Sequence, residues 1–203
     1  MENNIKPTID NEFITIYSNS LDTKYWIDLI ETVNKDSYPL ESIKRRPHLT
    51  MDLPVCNDRK DSYAAIELRC LFQNIMNKSL FKFMKDKNMK YMEPLRSTIT
   101  VSKLLPFTPM TEHQDITDQR VDSFVAMLYV NDNYDGGELS LPNRKYKYKP
   151  KAGDLAYYKM NEMHGVCETT NGLRYTIGYG ILGPYAWGIW IKAFIQKNRY
   201  VEC

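Results

Sequence analysis

From about residue 95 onward the chain is cut into short β-prone runs by closely spaced turn signals, and this limits its fold more than any other feature. The runs STITVSKLL (97–105), DSFVAMLYV (122–130), GELSLP (137–142), KYKYKP (145–150), DLAYYK (154–159), HGVCETT (164–170) and LRYTIGYGIL (173–182) are rich in β-branched and aromatic residues. The clusters NDNYDGG, KAGD and TNG separate them, and glycine there supplies the positive φ that tight turns need. Many short strands at such spacing predict an antiparallel sandwich or barrel. Gly136, Gly137 and Glu138 read as a tight turn leading into a strand.

The first half of the chain has a different period. EFITIYS (12–18) reads as an opening strand, and Trp26, Leu29, Ile30 and Val33 then recur at helical spacing. Residues 36–60 hold Pro39, Pro47 and Pro54 and read as loop or covering flap, with His48 in it. Residues 62–88 form the best long helix, offering Ile66, Cys70, Phe72, Ile75, Met76 and Leu80 for burial. In the tail, Trp187, Trp190, Ile191, Phe194 and Ile195 fall on one helical stripe, for packing on the β-core or for a dimer contact. The expected organisation is a single domain over 1–203: a helical N-terminal part to about residue 90, a β-core over 95–182 and an aromatic tail over 183–203.

Charge and cysteine usage narrow the function. A net charge of +2 over 203 residues lacks the broad basic footprint of a general nucleic-acid binder. Cys56, Cys70, Cys167 and Cys203 are scattered with no CxxC pair, which suits reduced thiols and a cytoplasmic location. The tail is too short and too charged at its end to span a membrane, and the opening residues carry no charged-then-apolar leader. In KYKYKPK, alternation puts Lys145, Lys147 and Lys149 on one face and Tyr146 and Tyr148 on the other, as expected for an edge strand guarded by lysines.

The chemistry-bearing residues are few. The chain has three histidines, and one, His113, stands two residues before Asp115, a spacing that on a strand points both side chains to one face. His164 opens a strand well downstream. Two imidazoles and a carboxylate on one face of an octahedral ion would leave three positions open, the arrangement of non-haem Fe(II) oxygenases. If 164–169 and 173–182 form a hairpin across TNG, Arg174 lies near the same end of the sheet as His164. A buried guanidinium there would match a carboxylate bidentately.

EHQD (112–115), FVAMLYVNDNYDGGELSLP (124–142), YKPKAGDLAYY (148–158) and MHGVCETTNGLRYTIGYG (163–180) resemble, as an ordered set, the 2-oxoglutarate/Fe(II)-dependent dioxygenases, and among them the prolyl 4-hydroxylase-like branch. Agreement is weaker at 13–33, where that family places an opening strand and helix. The resemblance implies a mainly β (α+β) fold, a double-stranded β-helix of jelly-roll, cupin-like type with supporting N-terminal helices. It implies His113, Asp115 and His164 as iron ligands and Arg174 as partner of the distal carboxylate of 2-oxoglutarate. Tyr129 and Thr176 fall where members place hydroxyls near the cosubstrate; for Tyr129 a plain core role is the competing reading. Fe(II), 2-oxoglutarate and O₂ follow as cofactors, with ascorbate as an auxiliary reductant, and the expected partner is a peptidyl-prolyl or other amino-acid substrate. The family's Tyr-Gly pair before the HxD motif is missing: the strand reads VSKLLPFTP, with Leu104 near the tyrosine's place. A nucleobase or nucleic-acid oxygenase on the same scaffold, and a non-catalytic cupin-like ligand binder, are the alternatives.

Overall fold

The computed structural model describes residues 6–37, 48–53, 63–89, 93–94, 99–108, 110–117 and 123–182. In chain order the elements are β1 (Ile9–Asp10), β2 (Ile14–Ser18), α1 (Thr23–Ser37), β3 (His48–Leu53), α2 (Tyr63–Asp86), β4 (Glu93–Pro94), β5 (Ile99–Leu104), β6 (Met110–His113), β7 (Ser123–Tyr129), β8 (Asp135–Gly136), β9 (Leu139–Leu141), β10 (Tyr146–Tyr148), β11 (Asp154–Lys159), β12 (His164–Val166), β13 (Thr169–Asn171) and β14 (Arg174–Leu182). An eight-stranded major sheet runs β1-β2-β11-β7-β14-β5-β3, with β4 pairing on β14. A four-stranded minor sheet runs β10-β9-β12-β6, and β8 with β13 makes a short third ladder. This is the two-sheet arrangement of a double-stranded β-helix.

Alternation along the central strands of the major sheet sorts two cores. On β14, Tyr175, Ile177, Tyr179 and Ile181 join Ala126 and Leu128 of β7 and Leu155 and Tyr157 of β11 on the outer face. That face packs against Trp26, Leu29, Ile30 and Val33 of α1 and Leu68, Phe72, Met76 and Phe83 of α2. On the inner face, Val125, Tyr129, Ala156 and Tyr158 meet Leu139 and Leu141 of the minor sheet. Burying both faces of one sheet is why β11 and β14 read as nearly continuous apolar runs rather than a half-polar alternation.

The helices start and stop where local chemistry dictates. Asp22 caps α1 by accepting from the Tyr25 backbone N–H at 3.1 Å. Asn88 follows α2 in the left-handed region, φ 49°, and Met89 N–H returns to Met84 O at 2.9 Å, closing the helix as a Schellman motif does. The α1 stripe is buried as its spacing predicts, whereas the α2 stripe matches the expected phase only in part. Phe72, Met76 and Leu80 are buried as expected, and Ile75 partly so, but Ile66 and Cys70 are exposed while Ala65, Leu68, Arg69, Ser79 and Phe83 complete the buried stripe. The true stripe includes Ala65, Arg69 and Ser79, so its hydrophobic contrast is low and the sequence pattern points elsewhere.

Two other expectations are corrected. The opening strand expected over 12–18 is present as β2, but the helical N-terminal part also contributes β1 and β3 to the major sheet. Residues 48–53 are not flap: β3 pairs with β5 along its whole length, His48 opposite Leu104. Residues 36–37 end α1; 38–47 and 54–60 of that stretch, and the tail with its proposed stripe and dimer contact, lie outside the described residues. KYKYKPK behaves as expected, with β10 at the edge of the minor sheet, Lys147 exposed and Tyr146 and Tyr148 half-buried. Among the described residues no helix is long and apolar enough to cross a membrane.

Candidate active site

A cavity of about 450 Å³ opens between the two sheets. Its walls take Thr100 and Ser102 from β5, Met127 and Tyr129 from β7, Arg174, Thr176 and Gly178 from β14, and His113 and His164 from the minor sheet, with Asp115 and Tyr158. All six residues expected from the sequence face this one cavity. The predicted route by which Arg174 reaches His164 is wrong, however. Residues 164–169 and 173–182 form no hairpin: β12 pairs with β6 and β9, whereas β14 pairs with β5, β7 and β4. His164 and Arg174 therefore belong to different sheets and meet across the cavity.

Strand register brings the histidines together. His113 ends β6 and is the register partner of His164 at the start of β12. Their ring centroids are 4.5 Å apart. Asp115 follows β6 in a turn whose N–H bonds to Met160 O at 2.9 Å, and its two carboxylate oxygens lie 3.5 Å from His113 Nε2 and 3.7 Å from His164 Nε2. One donor atom from each of the three residues falls within 4.8 Å of the others.

The backbone sets the tautomers. His113 Nδ1 lies 2.8 Å from Thr111 O and His164 Nδ1 lies 2.9 Å from Glu162 O. A neutral imidazole donating Nδ1–H to such a carbonyl keeps Nε2 as a lone pair, the form a metal takes. Burial pushes the pKa of His164 down, holding that imidazole neutral, with its backbone bond to Glu162 and the nearby Asp115 carboxylate opposing. Tyr158, absent from the sequence reading, packs beside it with ring centroids 5.0 Å apart.

On the opposite wall Arg174 is 4% exposed and its Nε has no hydrogen-bond partner. Its guanidinium carbon sits 5.2 Å from the Tyr129 ring centroid. Tyr129 is fully buried and its hydroxyl is likewise unpartnered; burial pushes its pKa well up, so it stays a neutral donor. Thr176, buried as well, is Tyr129's register partner on the next strand. Asn131 was also missed: its side chain donates to Leu173 O at 2.7 Å and accepts from Tyr175 N–H at 2.8 Å, gripping the backbone on both sides of Arg174. Only its place at the end of LYVN hints at this. Leu104, where the family motif has tyrosine, is buried and stands opposite Arg174 in the β5–β14 ladder.

The donor set suits a divalent iron: two neutral imidazoles and one carboxylate with room beside them. The far wall suits an anion, because a buried cation with an unused N–H and adjacent unused phenols is an incomplete hydrogen-bond set.

Comparisons with known proteins point the same way. The 2OG-Fe(II) oxygenase superfamily matches residues 105–179. Two PKHD-type hydroxylases of Prochlorococcus marinus (strains NATL1A and NATL2A) are each 30% identical over 80 residues, 38% of this chain and 31% of theirs. The chain thus spans about a third of the length of those relatives. Among solved structures, the viral collagen prolyl hydroxylase of Paramecium bursaria Chlorella virus-1 superposes with a TM-score of 0.57 at 15% identity, covering 87% of this chain and 98% of that one. A Trichoplax adhaerens prolyl hydroxylase, in complex with a hypoxia inducible factor oxygen degradation domain peptide fragment, gives 0.56 at 14%, covering 83% of each. At such identities the structural likeness establishes the fold alone. Motif, fold and donor set agree with that match: over residues 105–179 the chain is similar to the 2OG-Fe(II) oxygenase superfamily.

Proposed function

We propose that this protein is an Fe(II)- and 2-oxoglutarate-dependent dioxygenase that hydroxylates a peptidyl-prolyl or other amino-acid substrate, with residues 1–203 forming one catalytic domain. The observation that carries the reading is the pairing of two half-sites across one cavity. On one side the His113, Asp115 and His164 donors cluster; on the other stands the buried Arg174 with an unused N–H. A structural metal would explain the first half-site and leave the second without purpose, which disfavours the non-catalytic binder.

In this reading His113, Asp115 and His164 hold iron through Nε2, a carboxylate oxygen and Nε2. Arg174 receives the distal carboxylate of 2-oxoglutarate, with Tyr129 and Thr176 donating beside it. Bound there, iron with 2-oxoglutarate and O₂ supplies the oxidising power to place a hydroxyl on an unactivated carbon, releasing succinate and CO₂. The chain supplies the rest. The Thr111 and Glu162 carbonyls keep both Nε2 lone pairs directed at one point. Tyr158 and the apolar wall exclude water. The small inner side chains of β14, Thr176 and Gly178, leave room for a substrate residue between the two half-sites. Cys70 and Cys167, both free thiols, suit a reducing cytoplasm.

The test is an anaerobic titration of the purified chain with Fe(II) and 2-oxoglutarate, read by the visible charge-transfer band of iron-chelated 2-oxoglutarate. A band that needs both additions and disappears in His113→Ala supports the assignment. Iron binding with no band returns the chain to the binding-protein reading.

A further inference from the structure

Five buried side-chain polar atoms lack a partner among the described residues: Tyr17 Oη, Ser123 Oγ, Tyr129 Oη, Tyr134 Oη and Arg174 Nε. An unmade buried hydrogen bond is costly, so their distribution carries information. Tyr129, Tyr134 and Arg174 converge on one point. Tyr129 and Arg174 line the cavity, and Tyr134 is absent from its walls. Tyr134 instead stands behind Arg174. A Cβ at Gly137 would lie 2.9 Å from Tyr134 Cε2 and 3.1 Å from Arg174 Cδ, so glycine at φ +67° is what lets the ring and the arginine stem pack together. Burial pushes the Tyr134 pKa up, and the adjacent Arg174 guanidinium works against that push.

The ring itself is fixed. Lys149 Nζ sits 4.2 Å from its centroid and donates to Tyr134 O at 2.9 Å and to Gly136 O. A cation over the face and two backbone anchors hold the phenol in place. Tyr134 falls in the turn cluster NDNYDGG, where the sequence assigns it no role, and the proposed chemistry does not use it.

We propose that Tyr134 is a positioning residue for Arg174. When a dicarboxylate draws the terminal nitrogens into the cavity, the unpartnered Tyr134 hydroxyl takes up the equally unpartnered Arg174 Nε–H, holding the guanidinium as a fork. The inference rests on the 2-oxoglutarate reading above and extends it: selectivity for a distal carboxylate depends on a phenol that touches no ligand. Neither atom has a partner without the ligand, so the rear hydrogen bond completed on binding adds to the affinity for a distal carboxylate and not for a ligand that lacks one.

Tyr134→Phe keeps the ring, its packing and the Lys149 contact, and deletes only the hydroxyl. Parent and variant, loaded with Fe(II) without air, are titrated with 2-oxoglutarate and with 2-oxobutyrate, which lacks the distal carboxylate. Binding is read by the visible band and by ligand-induced thermal shift. The expected result is a roughly 10-fold loss of affinity for 2-oxoglutarate, the size of one hydrogen bond to a charged group. Affinity for 2-oxobutyrate should stay unchanged, and the unliganded Tm should not fall, because the deleted hydroxyl has no partner before the ligand binds. Equal losses for both ligands, or no loss for either, overturn the positioning role and leave the reading of the site intact. A parent that binds neither ligand, or binds both equally tightly, overturns the 2-oxoglutarate reading and this proposal together. Should Tyr134→Phe fail to fold, Lys149→Met, which frees the ring without altering the hydroxyl, should show the same selective loss at smaller amplitude.

Discussion

His113 and His164 face each other as register partners on β6 and β12, ring centroids 4.5 Å apart. Each gives its Nδ1 to the carbonyl two residues before it, Thr111 O at 2.8 Å and Glu162 O at 2.9 Å. The same local arrangement on two antiparallel strands therefore presents two Nε2 atoms to one carboxylate, Asp115. The site is a product of strand pairing: moving β12 by one residue would turn His164 to the other face.

Replacing His113, Asp115 or His164 singly by Ala should lower Fe(II) affinity by more than about 100-fold, since changing even an outer partner of a metal ligand typically costs 10–100-fold. Equilibrium binding of Fe(II) or Mn(II) checks this. The variants should separate in stability. His164 is 5% exposed and packs on Tyr158, so His164→Ala should also lower the Tm, whereas the half-exposed His113 should tolerate the change.

Arg174→Ala should leave iron binding intact and weaken 2-oxoglutarate by about 2–5 kcal/mol, the range for stripping a buried charge pair of one member, or roughly 30- to several-thousand-fold. Arg174→Lys should fall between parent and Ala, because an ammonium keeps the charge but loses the planar fork. The anaerobic band titration measures both. An Arg174→Ala variant with unchanged 2-oxoglutarate dependence would remove the arginine from the site.

Much of this was legible in the sequence, for identifiable reasons. Turn clusters and β-branched runs marked nearly every strand of the core, and HxD is a local pattern whose geometry follows from strand period. What failed was anything decided by which strand pairs with which. His164 and Arg174 were joined through a hairpin because they are ten residues apart, yet β12 and β14 lie in different sheets. Their meeting depends on sheet-on-sheet packing, which leaves no periodic trace. Tyr134 and Asn131 were missed for a related reason: each acts on Arg174 from a segment distant in sequence. β3 was hidden by the prolines around it.

Asp154 lies in the KAGD turn, away from the metal donors, and belongs to the ordered motif set. The structure gives it a supporting role. It is 1% exposed and accepts from Ser18 Oγ at 2.6 Å, Tyr148 Oη at 2.5 Å and Lys151 N–H at 2.7 Å. Next to it, Gly153 donates to Tyr129 O at 2.8 Å, and a Cβ there would meet Asn19 O at 1.8 Å. Asp154→Ala should therefore cost about 2–4 kcal/mol of stability through stranded donors. That is a drop of roughly 4–16 °C in Tm for a domain of this size, with 2-oxoglutarate affinity of the folded protein little changed. Thermal melts alongside band titrations separate the two.

The link between β1 and the end of α2 should respond to acid. Lys87 Nζ lies 2.6 Å from Asp10 Oδ1, and this bond is the main reason the Asp10 pKa is lowered, with burial opposing and Thr15 assisting. A carboxyl whose folded pKa lies below its unfolded value stabilises the fold fully above the unfolded pKa, near 4. That contribution is lost as the pH falls through the depressed folded pKa. Removing the cation should therefore matter at neutral pH and cease to matter in strong acid. The Tm difference between parent and Lys87→Met is expected to be small, since both groups are partly exposed. It should be constant from pH 7 to about 5 and shrink toward zero as Asp10 takes up its proton. A difference that stayed constant down to pH 2 would show that Lys87 stabilises the fold through its packed methylenes and its bond to Asn11 O rather than through the charge on Asp10.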